Sequence, residues 1–198
     1  MGLWGASDSD ESKPKNLTTA EKKEVFANTT GWVVEAGSSM TGNDNTSATP
    51  EVLVAIGGLS AALGAADITQ IEWITTAADK SDGFTLSARV RFNEPVAVVT
   101  TGGTPTLAVT NGNQGTGSGR GPHALAYASG TGTNELVFSL AIAAGNAATN
   151  ADDVLVIGAN ALALNSGTIK DVATSTTNAT ITNSSAIGTA AGSITVTA

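Results

Sequence analysis

The chain has 198 residues, 41% of them apolar, which is enough for one sizeable packed domain with an extension or for two small domains. Only 4% are aromatic and 13% charged, whereas 23 glycines and many short polar residues favour brief strands and turns over long helices. A net charge of −8 argues against nucleic acid as a direct partner, and the absence of cysteine excludes disulfides and zinc–thiolate sites.

The first 17 residues cannot build a core of their own, because glycine, serine and acidic residues dominate them. Leu3 and Trp4 are the large apolar groups near the start, and Leu17 closes the segment. We predict an extended arm in which the tryptophan anchors on another surface, with a frayed terminus as the alternative. No secretion signal and no run of the ~18 apolar residues that a membrane helix needs is recognisable, so we expect synthesis in a cytosol and no membrane partner.

A capping-box pattern follows the arm. The Thr18 hydroxyl is placed to accept from the amide of Glu21, and the Glu21 carboxylate is placed to accept from the amide of Thr18. This pattern predicts a short helix that ends near Ala27. The helix is too short to stand alone, so Val25 and Phe26 are expected to dock it on another surface.

The rest of the first third predicts two strands separated by a polar loop, residues 37–49. Residues 31–34, which include Trp32, predict the first strand. The apolar run at residues 50–56, followed by two glycines, favours a strand buried on both faces, although periodicity alone leaves a helix open. Residues 1–67 would together form the arm, the short helix and an anchoring region.

From about Ile68 the pattern changes to short strands closed by turn residues. The clearest is residues 84–92, where apolar side chains recur at every second position between threonine, serine and arginine. We expect Asn93-Glu94-Pro95 to end this strand, because proline lacks the N–H that a central strand needs. Further strands are predicted at residues 71–75, 96–100, 106–110, 123–128, 135–142, 154–157 and 194–197. Strands at this spacing favour a β-sandwich over residues 68–198.

Four pieces of this second region, in their order along the chain, resemble bacterial immunoglobulin-like repeats of large surface adhesins. They are residues 84–96, ending in Asn93-Glu94-Pro95-Val96; Gly103-Thr104-Pro105-Thr106-Leu107; residues 126–138; and residues 161–171. The resemblance covers roughly residues 69–175 and departs from the family pattern in the glycine-rich loop 111–121 and after Val172. It implies an all-β fold, an immunoglobulin-like β-sandwich preceded by the extended N-terminal arm with its short helix.

The opening Met1-Gly2-Leu3-Trp4-Gly5 is similar to the starts of small virion proteins of tailed phages. This resemblance implies a non-enzymatic virion structural protein, made in the host cytoplasm. Because the arm and the short helix have apolar groups but no core of their own, we expect a capsid decoration protein that attaches to the major capsid protein through its N-terminal region. Closed symmetry makes a dimer or a trimer the default. The residues expected to bind partners are Leu3, Trp4, Leu17, Val25, Phe26 and Trp32. Two alternatives stay open: an immunoglobulin-like module of the tail, neck or a fibre, and a module that binds carbohydrate or a cell surface.

No constellation of residues predicts catalysis or a cofactor. The glycine-rich residues 115–121 could cradle a phosphate, but a strand rather than a helix follows them. His123 is the only histidine, so a two-histidine metal site is excluded, and Ser118 beside it does not make a triad. Asp152-Asp153, with Asp171, could bind a hard cation at the rim of the sandwich; a plain turn is the alternative. We therefore expect no catalytic, cofactor or metal residues.

Overall fold

The strands fall into two groups, a small sheet formed by the first third of the chain and a sandwich formed by the remainder. The computed structural model describes residues 14–55, 65–112 and 123–198, apart from positions 15, 19, 29 and 43. The small sheet consists of β1 (Val25–Asn28), β2 (Gly31–Val34) and β3 (Glu51–Ala55). The sandwich consists of β4 (Ile68–Trp73), β5 (Ala78–Asp79), β6 (Phe84–Val99), β7 (Thr106–Gly112), β8 (His123–Ser129), β9 (Thr133–Ile142), β10 (Val154–Val156), β11 (Leu162–Ala163), β12 (Thr168–Asp171), α1 (Ser185–Ala190) and β13 (Ser193–Thr197).

The sandwich is organised around β6, which pairs with β4, β9 and β12. Its first half lies between β4 and β9, and its last residues pair with β12. Along the sheet the strands are ordered β12-β6-β9-β8-β7-β10-β13-β5, while β4 joins β6 and β11 joins β7. These pairs are antiparallel except for β13 with β5, which is parallel. The architecture is an all-β sandwich, as the sequence predicts.

Burial along β6 and β9 follows the predicted alternation. In β6 the side chains of Leu86, Ala88 and Val90 are fully buried, and in β9 so are those of Leu136 and Phe138. They belong to one contiguous core that extends through the sandwich. Burying an aliphatic or aromatic side chain of this size stabilises the fold by about 1.5–3 kcal/mol relative to leaving it in water.

The expected end of this strand at Asn93-Glu94-Pro95 was wrong, because β6 continues through Pro95 to Val99. The pairing with β9 skips here: Arg91 lies opposite Glu135, and the next paired residue of β6 is Val96, opposite Thr133. Pro95 therefore lies in a bulge, where no residue of β9 is paired with it and no N–H donor is needed. A bulge is one of the few places where a strand tolerates proline.

The other predicted strands are confirmed with shifted ends, and residues 96–100 prove to be the second half of β6. Strands β5 and β11 were not predicted, since two residues are too few to show a period, and β12 was missed as well. The helix α1 was also missed, although Ser184 caps it by accepting from the amide of Ile187 at 3.3 Å.

The capping box is present, but the helix predicted to follow it is not. The amide of Thr18 donates to the Glu21 carboxylate at 2.7 Å, and the amide of Glu21 donates to the Thr18 hydroxyl at 3.3 Å. Only one turn of 3-10 helix follows, Glu21–Lys23, and β1 begins at Val25. A single turn has little stability of its own, so pairing with β2 takes over before the helix reaches Ala27.

The strand predicted at residues 50–56 is confirmed as β3, but its predicted burial on both faces was wrong. All five residues of β3 are exposed, with Val52 at 53% and both Leu53 and Val54 at 40%. β3 is one of the two outer strands of the small sheet and pairs with β2 alone among the described strands. The other outer strand, β1, is buried and packs against β6 through Phe26 and Arg91.

Candidate partner-binding surface

Three of the residues predicted to bind a partner are buried inside this chain. Val25 and Trp32 form the small sheet's own core, and Leu17 packs against it, partly exposed. Phe26 points to the opposite face of β1 and is 3% exposed. The expectation that the segment with Val25 and Phe26 has no core of its own is therefore wrong. Val25, Phe26 and Trp32 are packing residues, each at most 3% exposed. The other two predicted contacts, Leu3 and Trp4, lie outside the described residues.

A group of five charged side chains, here called the arginine cluster, joins the small sheet to the sandwich. It consists of Arg89 and Arg91 from β6, Glu72 from β4, Glu135 from β9 and Glu35, which follows β2. The two arginines alternate with buried core residues and therefore share the outer face of β6. Strand register places Glu72 directly opposite Arg89 and Glu135 directly opposite Arg91, as favourable cross-strand pairs.

Arg91 is the centre of this cluster and is fully buried. Its Nε donates to Glu135 at 2.7 Å, and its Nη1 donates to Glu72 at 3.3 Å and to the carbonyl oxygen of Lys23 at 2.9 Å. Its Nη2 donates to Glu35. One side chain of the sandwich thus binds the carbonyl of the turn before β1 and the carboxylate after β2.

The same guanidinium stacks on the buried aromatic ring of the small sheet. The Cζ atom of Arg91 lies 4.9 Å from the centre of the Phe26 ring, which is a cation–π geometry. Burial disfavours the charged guanidinium, but Glu72, Glu135 and Glu35 together hold the pKa of Arg91 above its ordinary value. The side chain therefore stays charged and ties β1 and β2 to β6.

A cleft of about 230 Å³ opens beside the arginine cluster, between the small sheet and the sandwich. Glu35, Arg89 and Glu135 contribute charged groups to its walls, and Pro50 lies at the start of β3. The arginine cluster beside this cleft contains three carboxylates and two guanidiniums, so its net charge is −1.

Strand β3 carries an exposed apolar surface, whereas the sequence predicted that its residues are buried on both faces. Val52 lies opposite Val33 and Val54 lies opposite Trp32, so Leu53 is the extra residue of a β-bulge. Three consecutive apolar side chains of the strand are exposed, and Glu51 is its one charged residue. We call this strand, Glu51–Ala55, the β3 edge.

His123 takes part in a buried polar network. Its Nε2 lies 3.1 Å from the hydroxyl of Thr149, which has no exposed surface for a substrate. Asp153 accepts from the amide of Asn150 at 2.7 Å and from the side chain of Asn111 at 2.9 Å. Burial lowers the pKa of His123 despite the opposing charge of Asp153, which keeps the ring neutral. The glycine-rich residues 115–121 lie outside the described part of the chain.

The three aspartates considered as cation ligands are not brought together. Asp153 lies just before β10, whereas Asp171 ends β12, and four strands separate β10 from β12 in the sheet order. Asp171 accepts instead from the amide of Thr174 at 3.0 Å. Within the described ranges, no three acidic or histidine side chains are grouped so that they could hold a metal ion.

No helix in the described part of the chain has both the length and the apolar character to cross a membrane. Comparisons of the chain with models of protein families, with curated proteins and with solved structures yielded no match. The proposed function therefore rests on the geometry of the small sheet and of its junction with the sandwich.

Proposed function

We propose that this protein is a non-enzymatic structural protein of a phage virion, a capsid decoration protein attached to the major capsid protein through its N-terminal region. The observation that carries the proposal is the pairing of an exposed apolar strand, the β3 edge, with a buried charge cluster that fixes it to a rigid sandwich. Apolar groups exposed in a row mark interaction sites more often than isolated ones do.

The arginine cluster supports this role because it joins the small sheet to the sandwich through buried, charge-assisted hydrogen bonds. The small sheet can hold the sandwich in a fixed orientation only if the two are firmly joined. Arg91 binds one group before β1 and one after β2 and stacks on Phe26 of β1, so it links the small sheet to the sandwich at three points. The sandwich would project from the shell as an immunoglobulin-like domain, in line with the resemblance in its strands.

The attachment region is proposed to include the arm as well as the β3 edge. Leu3 and Trp4 have the apolar character of an anchor, and an arm that orders on a lattice makes wide contact at an entropic cost. Closed symmetry would make the attached unit a dimer or a trimer.

A module that binds a small ligand or a cell surface is the second candidate, because of one further cleft. It has a volume of about 540 Å³, within the range of small-molecule sites, and lies beside β6 and β12. Val99 and Val172 line it, together with Lys170 and Asp171. It lacks an aromatic wall, the usual platform for stacking a sugar ring.

The direct test is the number of copies per particle. Mass spectrometry of purified virions would quantify this protein against the major capsid protein. Hundreds of copies are expected for a decoration protein. A few to some tens would move the protein to the tail or neck, and its complete absence would contradict the proposal and favour the ligand-binding module, which a glycan array would then test.

A further inference from the structure

We infer that the β3 edge accepts an extended segment of a partner protein as a fourth strand of the small sheet, and that this segment carries a basic side chain toward the cleft beside the arginine cluster. The inference rests on the proposed function, since it names the element of the N-terminal region that makes the contact and the chemistry of the partner segment.

The first support is the unpaired backbone of β3. One edge of β3 pairs with β2, and no described strand lies along the other edge. The backbone N–H and C=O groups on an open edge need a partner, and an added strand supplies one for each of them.

The second support is the side chains. Proteins usually guard an open edge with lysine or other charged residues, but the β3 edge exposes Val52, Leu53 and Val54 in succession. A strand laid along β3 would therefore cover apolar side chains as well as backbone. Apolar area removed from water contributes about 25 cal/mol per Å².

The third support is charge. The cleft lined by Pro50 lies at the beginning of β3, so one end of an added strand would reach Glu35 and Glu135. The arginine cluster has one carboxylate in excess, and Glu51 adds a further negative charge at that end of the strand. A lysine or arginine on the partner segment complements this surface, whereas an acidic residue is repelled.

These observations favour a different protein over a second copy as the occupant. The β3 edge of a second copy would bring Glu51 and no basic residue, so two such edges lack charge complementarity. Three partly exposed side chains also offer far less than the ~800 Å² per partner of a stable interface. A partner that contacts further parts of this chain can supply the remaining area.

The test uses two synthetic peptides and the purified full chain. Both peptides alternate valine and threonine; one has lysine at both ends and the other glutamate. We expect the lysine peptide to bind in a fluorescence-anisotropy titration and to protect amides of residues 51–55 from hydrogen exchange. The glutamate peptide should bind about tenfold more weakly, a difference of about 1.4 kcal/mol.

Variants locate the contact. Val52→Lys combined with Val54→Lys should abolish binding of the lysine peptide, because the new charges guard the edge and repel the peptide. The matched control is Ile74→Lys combined with Thr195→Lys, which changes the charge equally at two exposed positions of the sandwich outside both clefts described above, and should bind as the original chain does. Circular dichroism would confirm that both variants stay folded.

Four outcomes would overturn the inference. They are equal binding of the two peptides, no binding of either, protection of every β3 amide in the free chain, and a concentration-dependent dimer that only the β3 variant loses. The third would mean that another segment of this chain covers the edge, and the fourth that a second copy does. Because the copy number per virion is measured separately, a failed peptide test with hundreds of copies would remove the added strand and leave the proposed function standing.

Discussion

The charge of the Arg91 guanidinium is balanced inside the protein by Glu35, Glu72 and Glu135. Without it, three carboxylates would face one another in a poorly solvated space. We predict that Arg91→Met lowers the free energy of unfolding by about 3–5 kcal/mol, the usual effect of breaking a buried ion pair. Arg89→Met is the control, because its side chain is 23% exposed and should cost about 1 kcal/mol or less. Equal losses in urea denaturation would contradict a special role for Arg91.

His123 gives the fold a predictable response to acid. Its ordinary pKa is 6.5, and burial lowers the pKa in the folded protein. The unfolded chain therefore binds the proton more readily, so the stability contribution of the neutral ring is complete above about pH 6.5 and declines as the pH falls toward the folded pKa. His123→Gln should remove this part of the pH dependence. Urea denaturation of both proteins from about pH 7 to pH 5 provides the comparison, and an identical pH slope would refute the prediction.

Among the elements, the turn between β8 and β9 contains two glycines whose contacts with the neighbouring backbone differ. Gly130 and Gly132 both have positive φ, 109° and 86°. A Cβ at Gly130 would collide with the carbonyl oxygen of Glu135, whereas a Cβ at Gly132 would meet nothing within 4 Å. Gly132→Ala should thus cost about 1–2 kcal/mol from backbone strain alone. We expect Gly130→Ala to lower the melting temperature much further, and equal melting temperatures would show that this turn can shift freely.

For the whole molecule, the fold class could be predicted because the inward faces of the long strands alternate regularly, as at Leu86, Ala88 and Val90. The first third could not be predicted as well, since its elements depend on long-range pairing. Local signals at Thr18 and Glu21 are correct, yet the helix they predict is replaced by β1, whose partner lies on β2. Local propensity is overridden where a short segment gains more from tertiary pairing.

The candidate site was harder to predict than the fold. The sequence placed Arg91 on the polar face of its strand, correctly, but not in the interior, because its burial requires Glu35 and Lys23 from the small sheet to cover that face. Two arginines two positions apart in a strand, in a chain with nine basic residues, were the available signal. The exposure of β3 was equally hidden, since an apolar run does not reveal whether a strand is central or at an edge.

We propose that the small sheet faces the capsid while the sandwich points away from it. This orientation can be tested by cross-linking purified virions with a lysine-reactive reagent and identifying the linked peptides by mass spectrometry. Lys22 and Lys23 precede β1, whereas Lys80 and Lys170 lie on the sandwich. If the small sheet faces the capsid, we expect cross-links from Lys22 or Lys23 to the major capsid protein. Cross-links to that protein from Lys80 and Lys170 alone would contradict it.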